Sequence, residues 1–226
     1  MSEQKLSSDR RNFLTSIVAS AAALSLVDLT TSAQAADNSS SVQVPTDFQI
    51  WLESITGKHR QVYDAPEPNS GMALIWSYVY LLTAAQGYAV PESDVGVVVV
   101  LRHAAIPIAF EDSVWAKYKL GEVFKINDLA TKTASIRNPF NNIKPEDMPI
   151  PDAALDKLVS RGVKFGVCNM AITFYSGMVA KQMDMPAEKV KQEWIDGVLP
   201  GVTVVPSGVV AVNGAQSRGC TYCFAG

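Results

Sequence analysis

The apolar positions of this chain fall into two textures. Val95-Gly96-Val97-Val98-Val99-Val100-Leu101 is an almost unbroken β-branched run. It lacks the polar alternation of a half-exposed strand and predicts a strand buried on both faces, as in a parallel sheet. Val163–Cys168 and Val202–Val205 predict two more strands, and His59–Tyr63 a short one ended by Asp64-Ala65-Pro66-Glu67-Pro68. Between these runs the apolar residues recur at helical spacing. Gly71–Tyr88 puts Leu74, Tyr78, Leu81 and Leu82 on one stripe. Helices are also predicted for Ile108–Leu120 behind Pro107, from an N-cap at Asp152 to Ser160, for Ala171–Gln182, from Pro186 to about Val198, and for Val209–Gln216. Residues 137–151 carry Pro139, Pro145, Pro149 and Pro151 and predict an irregular connection. Strands alternating with helices specify one α/β domain with a mostly parallel sheet, and right-handed crossovers place helices on both of its faces.

The first 35 residues follow a different pattern. Arg10-Arg11-Asn12-Phe13-Leu14 precedes a weakly apolar run, Ser16–Val27, and the segment closes on Ala33-Gln34-Ala35. A basic start, a short apolar stretch and a small-x-small site make a secretory signal over residues 1–35. The run is shorter than the roughly 20 residues a spanning helix needs, so no stable membrane anchor is expected. Paired arginines followed by x-Phe-Leu resemble the twin-arginine (Tat) signal, which would make the Tat translocase a transient partner and the periplasm the destination. The mature chain is then expected to begin near Ala36, with residues 36–47, rich in Asp, Asn and Ser, as a flexible linker and residues 48–226 as the domain.

Charge narrows the function classes. The formal net charge is −3, and residues 1–35 hold as many basic side chains (Lys5, Arg10, Arg11) as acidic ones (Glu3, Asp9, Asp28). Without a basic block or stripe, neither nucleic acid nor an anionic membrane surface is an expected partner. The nucleophile-elbow, Walker, dinucleotide and zincin motifs are all missing from the sequence.

In an open parallel sheet, chemistry gathers beyond the carboxyl ends of the strands. The strand 95–101 runs into Arg102 and His103, and the strand ending at Val167 runs into Cys168 and Asn169. A thiol beside a cation or at a helix N-terminus has a larger thiolate fraction. Cys168 is therefore the candidate nucleophile, tuned by His103 and Arg102. Three plainer readings stand beside it: Cys168 as inert core, His103 as a cap, and Arg102 paired with Glu111 or Asp112. His59, beside Arg60, reads as structural or surface. The end of the chain, Gly219-Cys220-Thr221-Tyr222-Cys223-Phe224-Ala225-Gly226, offers a Cys220–Cys223 disulfide, a redox dithiol, or a metal site completed by Cys168 and His103. A thioredoxin-type pair opens a helix, whereas this pair follows one, and export favours the disulfide. A non-catalytic alternative is a small-molecule-binding module with a pocket lined by Trp115, Tyr118 and Phe140.

The segments Gly162-Val163-Lys164-Phe165-Gly166-Val167-Cys168-Asn169 and Leu199-Pro200-Gly201-Val202-Thr203-Val204-Val205-Pro206-Ser207-Gly208-Val209 resemble the DsrE/DsrF-like family over about the last third of the chain. The resemblance implies a flavodoxin-like three-layer sandwich and assembly as a homo-oligomer. In the family's sulfur-trafficking members a cysteine carries sulfur as a persulfide between partners. Cys168 would take that role here, with a sulfur-donor or thiol-redox protein as partner.

Overall fold

A strand of seven residues, β2 (Val95–Leu101), runs through the middle of the molecule, and its alternation shows how the layers are built. Val97, Val99 and Leu101 point into one apolar core, and Val98 and Val100 into another, all five being 3% exposed or less. Full burial of each such side chain contributes about 1.5–3 kcal/mol. This is why an uninterrupted valine run, rather than an alternating pattern, specifies the central strand.

The computed structural model describes residues 46–128, 130–143 and 150–226, all within the compact unit Gln43–Gly226. The signal segment 1–35 and nearly all of the expected linker lie outside the described residues. The elements run in the order α1 (Thr46–Glu53), β1 (His59–Ala65), α2 (Met72–Gly87), β2, α3 (Asp112–Tyr118), α4 (Leu120–Val123), α5 (Leu155–Ser160), β3 (Lys164–Cys168), α6 (Asn169–Gln182), α7 (Ala187–Asp196), β4 (Val202–Val205), α8 (Gly208–Ser217) and β5 (Thr221–Phe224). All the strands are parallel and their order in the sheet is β4-β3-β2-β1-β5. This is the predicted α/β domain, with helices on both faces.

The order explains the layers. From β1 to β4 the chain always steps in the same direction, so right-handed crossovers put the intervening helices on one face. Leu74 and Leu81 of α2, Trp115 and Tyr118 of α3, Ile172 and Val179 of α6 and Trp194 of α7 fill the core there. The step from β4 back to β5 is reversed, so α8 lands on the opposite face. Ala211 and Ala215 of α8 meet Phe48 and Trp51 of α1 over Val62, Val98, Val100 and Val205. The Trp51 indole donates to the Phe165 carbonyl oxygen at 3.0 Å, pinning α1 to β3. In the flavodoxin order the second strand takes the edge beside the first; here the last strand, β5, takes that place.

Several elements differ from the sequence pattern. The helix expected over Ile108–Leu120 is a 3-10 segment, His103–Ala109, followed by extended Phe110, α3 and α4. Leu199 N donates to the Ala109 carbonyl and Glu111 N to the Gly197 carbonyl, so the chain is stitched to the loop before β4 and cannot wind through. Lys119, at φ +51°, then separates α3 from α4. Asp152 lies in a 3-10 turn and pairs with Lys157, so the cap of α5 is Ala154. Neither α1 nor β5 was expected from the sequence pattern. His59 stacks on Tyr88 with centroids 4.1 Å apart, the structural role expected of it.

Candidate functional site at the carboxyl edge

The direction of the crossovers changes between β3 and β4. The chain leaves β3 into α6 on one face and, after β4, enters α8 on the other, so two helix N-termini diverge at adjacent strand ends. Such a switch point is where open α/β sheets form their crevices. Cys168 ends β3 in register with Val205 of β4. It is also the N-cap of α6: its Sγ accepts from Ala171 N at 3.3 Å, and the residue is 6% exposed. Ser207 caps α8 in the same manner, accepting from Val210 N. A thiol at the N-terminus of a 14-residue helix sits in the positive end of the helix dipole.

Arg102 stands at the end of the neighbouring strand. Leu101 pairs with Val167, so the next position on each strand brings Arg102 alongside Cys168. Its guanidinium does not turn to Glu111 or Asp112. It forks onto Asp64 at the end of β1, Nε to Oδ1 at 2.6 Å and Nη2 to Oδ2 at 2.9 Å. Asp64 is 5% exposed, so this is a near-buried bidentate pair of the strong kind. The hydrogen bond to Asp64 holds the Arg102 proton more firmly than usual. Tyr222 of β5 donates its hydroxyl to Asp64 Oδ2 at 3.0 Å. Sequence reading missed both Asp64 and Tyr222. Asp64 looked like part of a turn, and nothing local marks residues 221–224 as a strand beside β1.

His103 begins the 3-10 segment at φ +49°, a left-handed conformation that costs a non-glycine residue energy. Its Nδ1 lies 3.0 Å from Glu67 Oε1, and its Nε2 lies 3.2 Å from the Tyr175 hydroxyl on α6. Burial, reinforced by Glu67, pushes the Tyr175 phenol up to about 12, so it stays protonated and can donate to the imidazole. These contacts tie together the loops after β1 and β2 and the second turn of α6. They place His103 in a carboxylate–imidazole–phenol chain that no sequence motif announced.

The cysteine trio is not brought together. Cys220 packs against one face of the sheet and Cys223 against the other, and all three thiols are free. This corrects the expected Cys220–Cys223 disulfide. Three residues of extended chain span about 10 Å, beyond the roughly 7 Å between Cα atoms that a disulfide tolerates. Burial pushes both thiols up. Cys168 is on β3, and β2 and β1 separate it from β5. Among the described residues no three His, Cys, Asp or Glu side chains form a metal-binding group, so the alternative of a metal site from Cys168, Cys220, Cys223 and His103 is not assembled. Trp115, Tyr118 and Phe140 are 5% exposed or less and belong to the core, so they line no pocket at this edge. The Trp115 indole is spent on the Pro107 carbonyl.

Fold and site together define an α/β protein whose parallel sheet presents a capped thiol and a clamped arginine at its carboxyl edge. No family model and no curated protein matches the chain. Among solved structures, a protein of unknown function from Methanobacterium thermoautotrophicum is similar at 19% identity, over 74% of this chain and 98% of that one, with a TM-score of 0.37. The fold is defined by the strand pairing itself. Among the described residues no helix is long and apolar enough to cross a membrane.

Proposed function

We propose that this chain is an exported thiol protein of the DsrE/DsrF-like type that handles sulfur through Cys168. The observation that carries the reading is the position of that thiol, at the first turn of α6 and on the strand next to Arg102. A positive helix end and a nearby fixed guanidinium are the surroundings in which reactive cysteines are found. His103 and Arg102 were both candidates to tune the thiol; Arg102 is the one whose backbone position falls alongside Cys168, one place past the Leu101–Val167 pair.

The step is a sulfur transfer without net oxidation. The Cys168 thiolate attacks the outer sulfur of a donor persulfide, R–S–SH. The S–S bond of the donor breaks, R–S⁻ leaves, and Cys168 holds the new persulfide until an acceptor thiolate removes its outer sulfur in the same way. A thiol only 6% exposed suits a small donor or a protein that presses on the first turn of α6. The donor and acceptor are separate thiol partners, and the protein works in the periplasm as a homo-oligomer.

Alkylation of the intact protein from pH 5 to 9, followed by peptide mass spectrometry, tests this. Cys168 is expected to react several-fold faster than free cysteine at pH 6. A rate no faster than free cysteine there ends the reading.

A further inference from the structure

One polar contact of the site comes from an unexpected place. Tyr222 lies in the C-terminal strand β5, between Cys220, which precedes the strand, and Cys223, and is in register with Val62 of β1. Its side chain is on the same face as Val62 and Asp64, and its hydroxyl reaches Asp64 Oδ2 at 3.0 Å. Asp64 holds Arg102 in a two-pronged grip, and Arg102 follows the residue paired with Val167, one position before Cys168. Tyr222, Asp64 and Cys168 therefore come from β5, β1 and β3, and Arg102 directly follows β2, the four strands being consecutive in space.

We infer that Tyr222 is a positioning residue for the Cys168 site, acting through Asp64 on the orientation and charge balance of Arg102. An arginine side chain has four rotatable bonds, and where its charge sits depends on what grips the guanidinium. The carboxylate supplies the grip, and the phenol fixes the carboxylate by occupying the oxygen that also takes Nη2. By sharing Oδ2, the phenol disperses the carboxylate charge and leaves more of the guanidinium field for a thiolate. Tyr222 is 47% exposed, so its ring contributes little packing that would otherwise account for its placement. The hydroxyl contact to Asp64 is the polar anchor that its position supplies.

The inference rests on the reading of Cys168 as a thiolate, and the test separates the two. In a Cys220→Ser/Cys223→Ser background only Cys168 reacts with iodoacetamide, and its rate is followed from pH 5 to 10. The background protein is expected to show an activated thiol. Tyr222→Phe is expected to shift the profile to higher pH and slow the reaction at pH 7 two- to fivefold, with the high-pH plateau and the melting temperature unchanged. Arg102→Gln is expected to shift it further in the same direction. If Arg102→Gln moves the profile and Tyr222→Phe does not, the positioning role is overturned while the thiolate reading stands. If Cys168 in the background protein titrates like free cysteine, the thiolate reading fails, and the inference with it.

Discussion

Gly208 lies against Arg102 so closely that a Cβ at position 208 would stand 2.5 Å from the Arg102 Cβ and 2.9 Å from its Cδ. The first turn of α8 is thus a wall against which the arginine runs toward Asp64. Only a residue without a side chain leaves that channel open.

Gly208→Ala is therefore expected to move either α8 or Arg102, because Cβ–Cβ contact cannot be relieved by a rotamer change. Overpacking of this kind costs about 1–3 kcal/mol. Urea denaturation should show that loss, and the alkylation profile of Cys168 should shift to higher pH in the same variant. An unchanged midpoint would mean that the helix moves aside freely.

All three cysteines are expected to be titratable without reductant. The protein denatured under non-reducing conditions should yield three thiols per chain with Ellman's reagent, matching the free state of Cys168, Cys220 and Cys223. In the native protein, Cys220 and Cys223 should react slowly at neutral pH, since burial disfavours their thiolates. A count of one thiol would show that the Cys220–Cys223 pair closes at the expense of the strand.

Trp51→Phe removes the indole donor from the Phe165 carbonyl, a buried bond 3.0 Å long. The ring lies over Gly166, where an added Cβ would be 3.0 Å from it, so the smaller phenyl also leaves a gap. Together the lost hydrogen bond and the gap should destabilise the domain by about 2–3 kcal/mol, read from chemical denaturation.

Asp128 gives a pH prediction. The backbone N–H of Thr131, with that of Ala130 and the Thr131 hydroxyl, holds its carboxyl below the usual range, and Arg137 helps. A carboxylate whose folded-state pKa is depressed adds stability above the unfolded-state value, near 4, and that stability is lost as the pH falls through the folded value. Asp128→Ala should therefore be less stable than the parent at pH 7, with the gap narrowing below pH 4. A gap that is constant from pH 7 to 3 would assign the loss to the turn alone.

The legible part of the fold was the part governed by local pattern. The Val95–Leu101 run, the strand ending at Cys168 and the helices 72–87 and 169–182 follow from β-branched content or helical spacing. Cys168 and Arg102 were legible for a related reason, since a strand end in a parallel sheet points to the ligand edge. What the sequence hid was non-local. Thr221–Phe224 becomes a strand only because β1 has a free edge, and Asp64 gains its importance only from Arg102 and Tyr222, 38 and 158 positions away. The hydrogen bonds of His103 were hidden because its partners, Glu67 and Tyr175, come from two other elements. The Cys-x-x-Cys spacing and export suggested a bridge, whereas the extended chain entering and forming β5 puts those two side chains on opposite faces of the sheet.

The position of β5 has a consequence for how the domain assembles. While the chain is being made, β1 emerges early and keeps one row of amides and carbonyls unpaired until residues 221–224 arrive. That long wait is the kind of non-local closure that slows folding. Until it ends, the exposed border of β1 is open to pairing with another chain, and Asp64 lacks its phenol. Docking of the last strand thus works as a completion signal: one event covers the border of β1, leaves the four-residue β5 as the edge, and finishes the clamp beside the thiol.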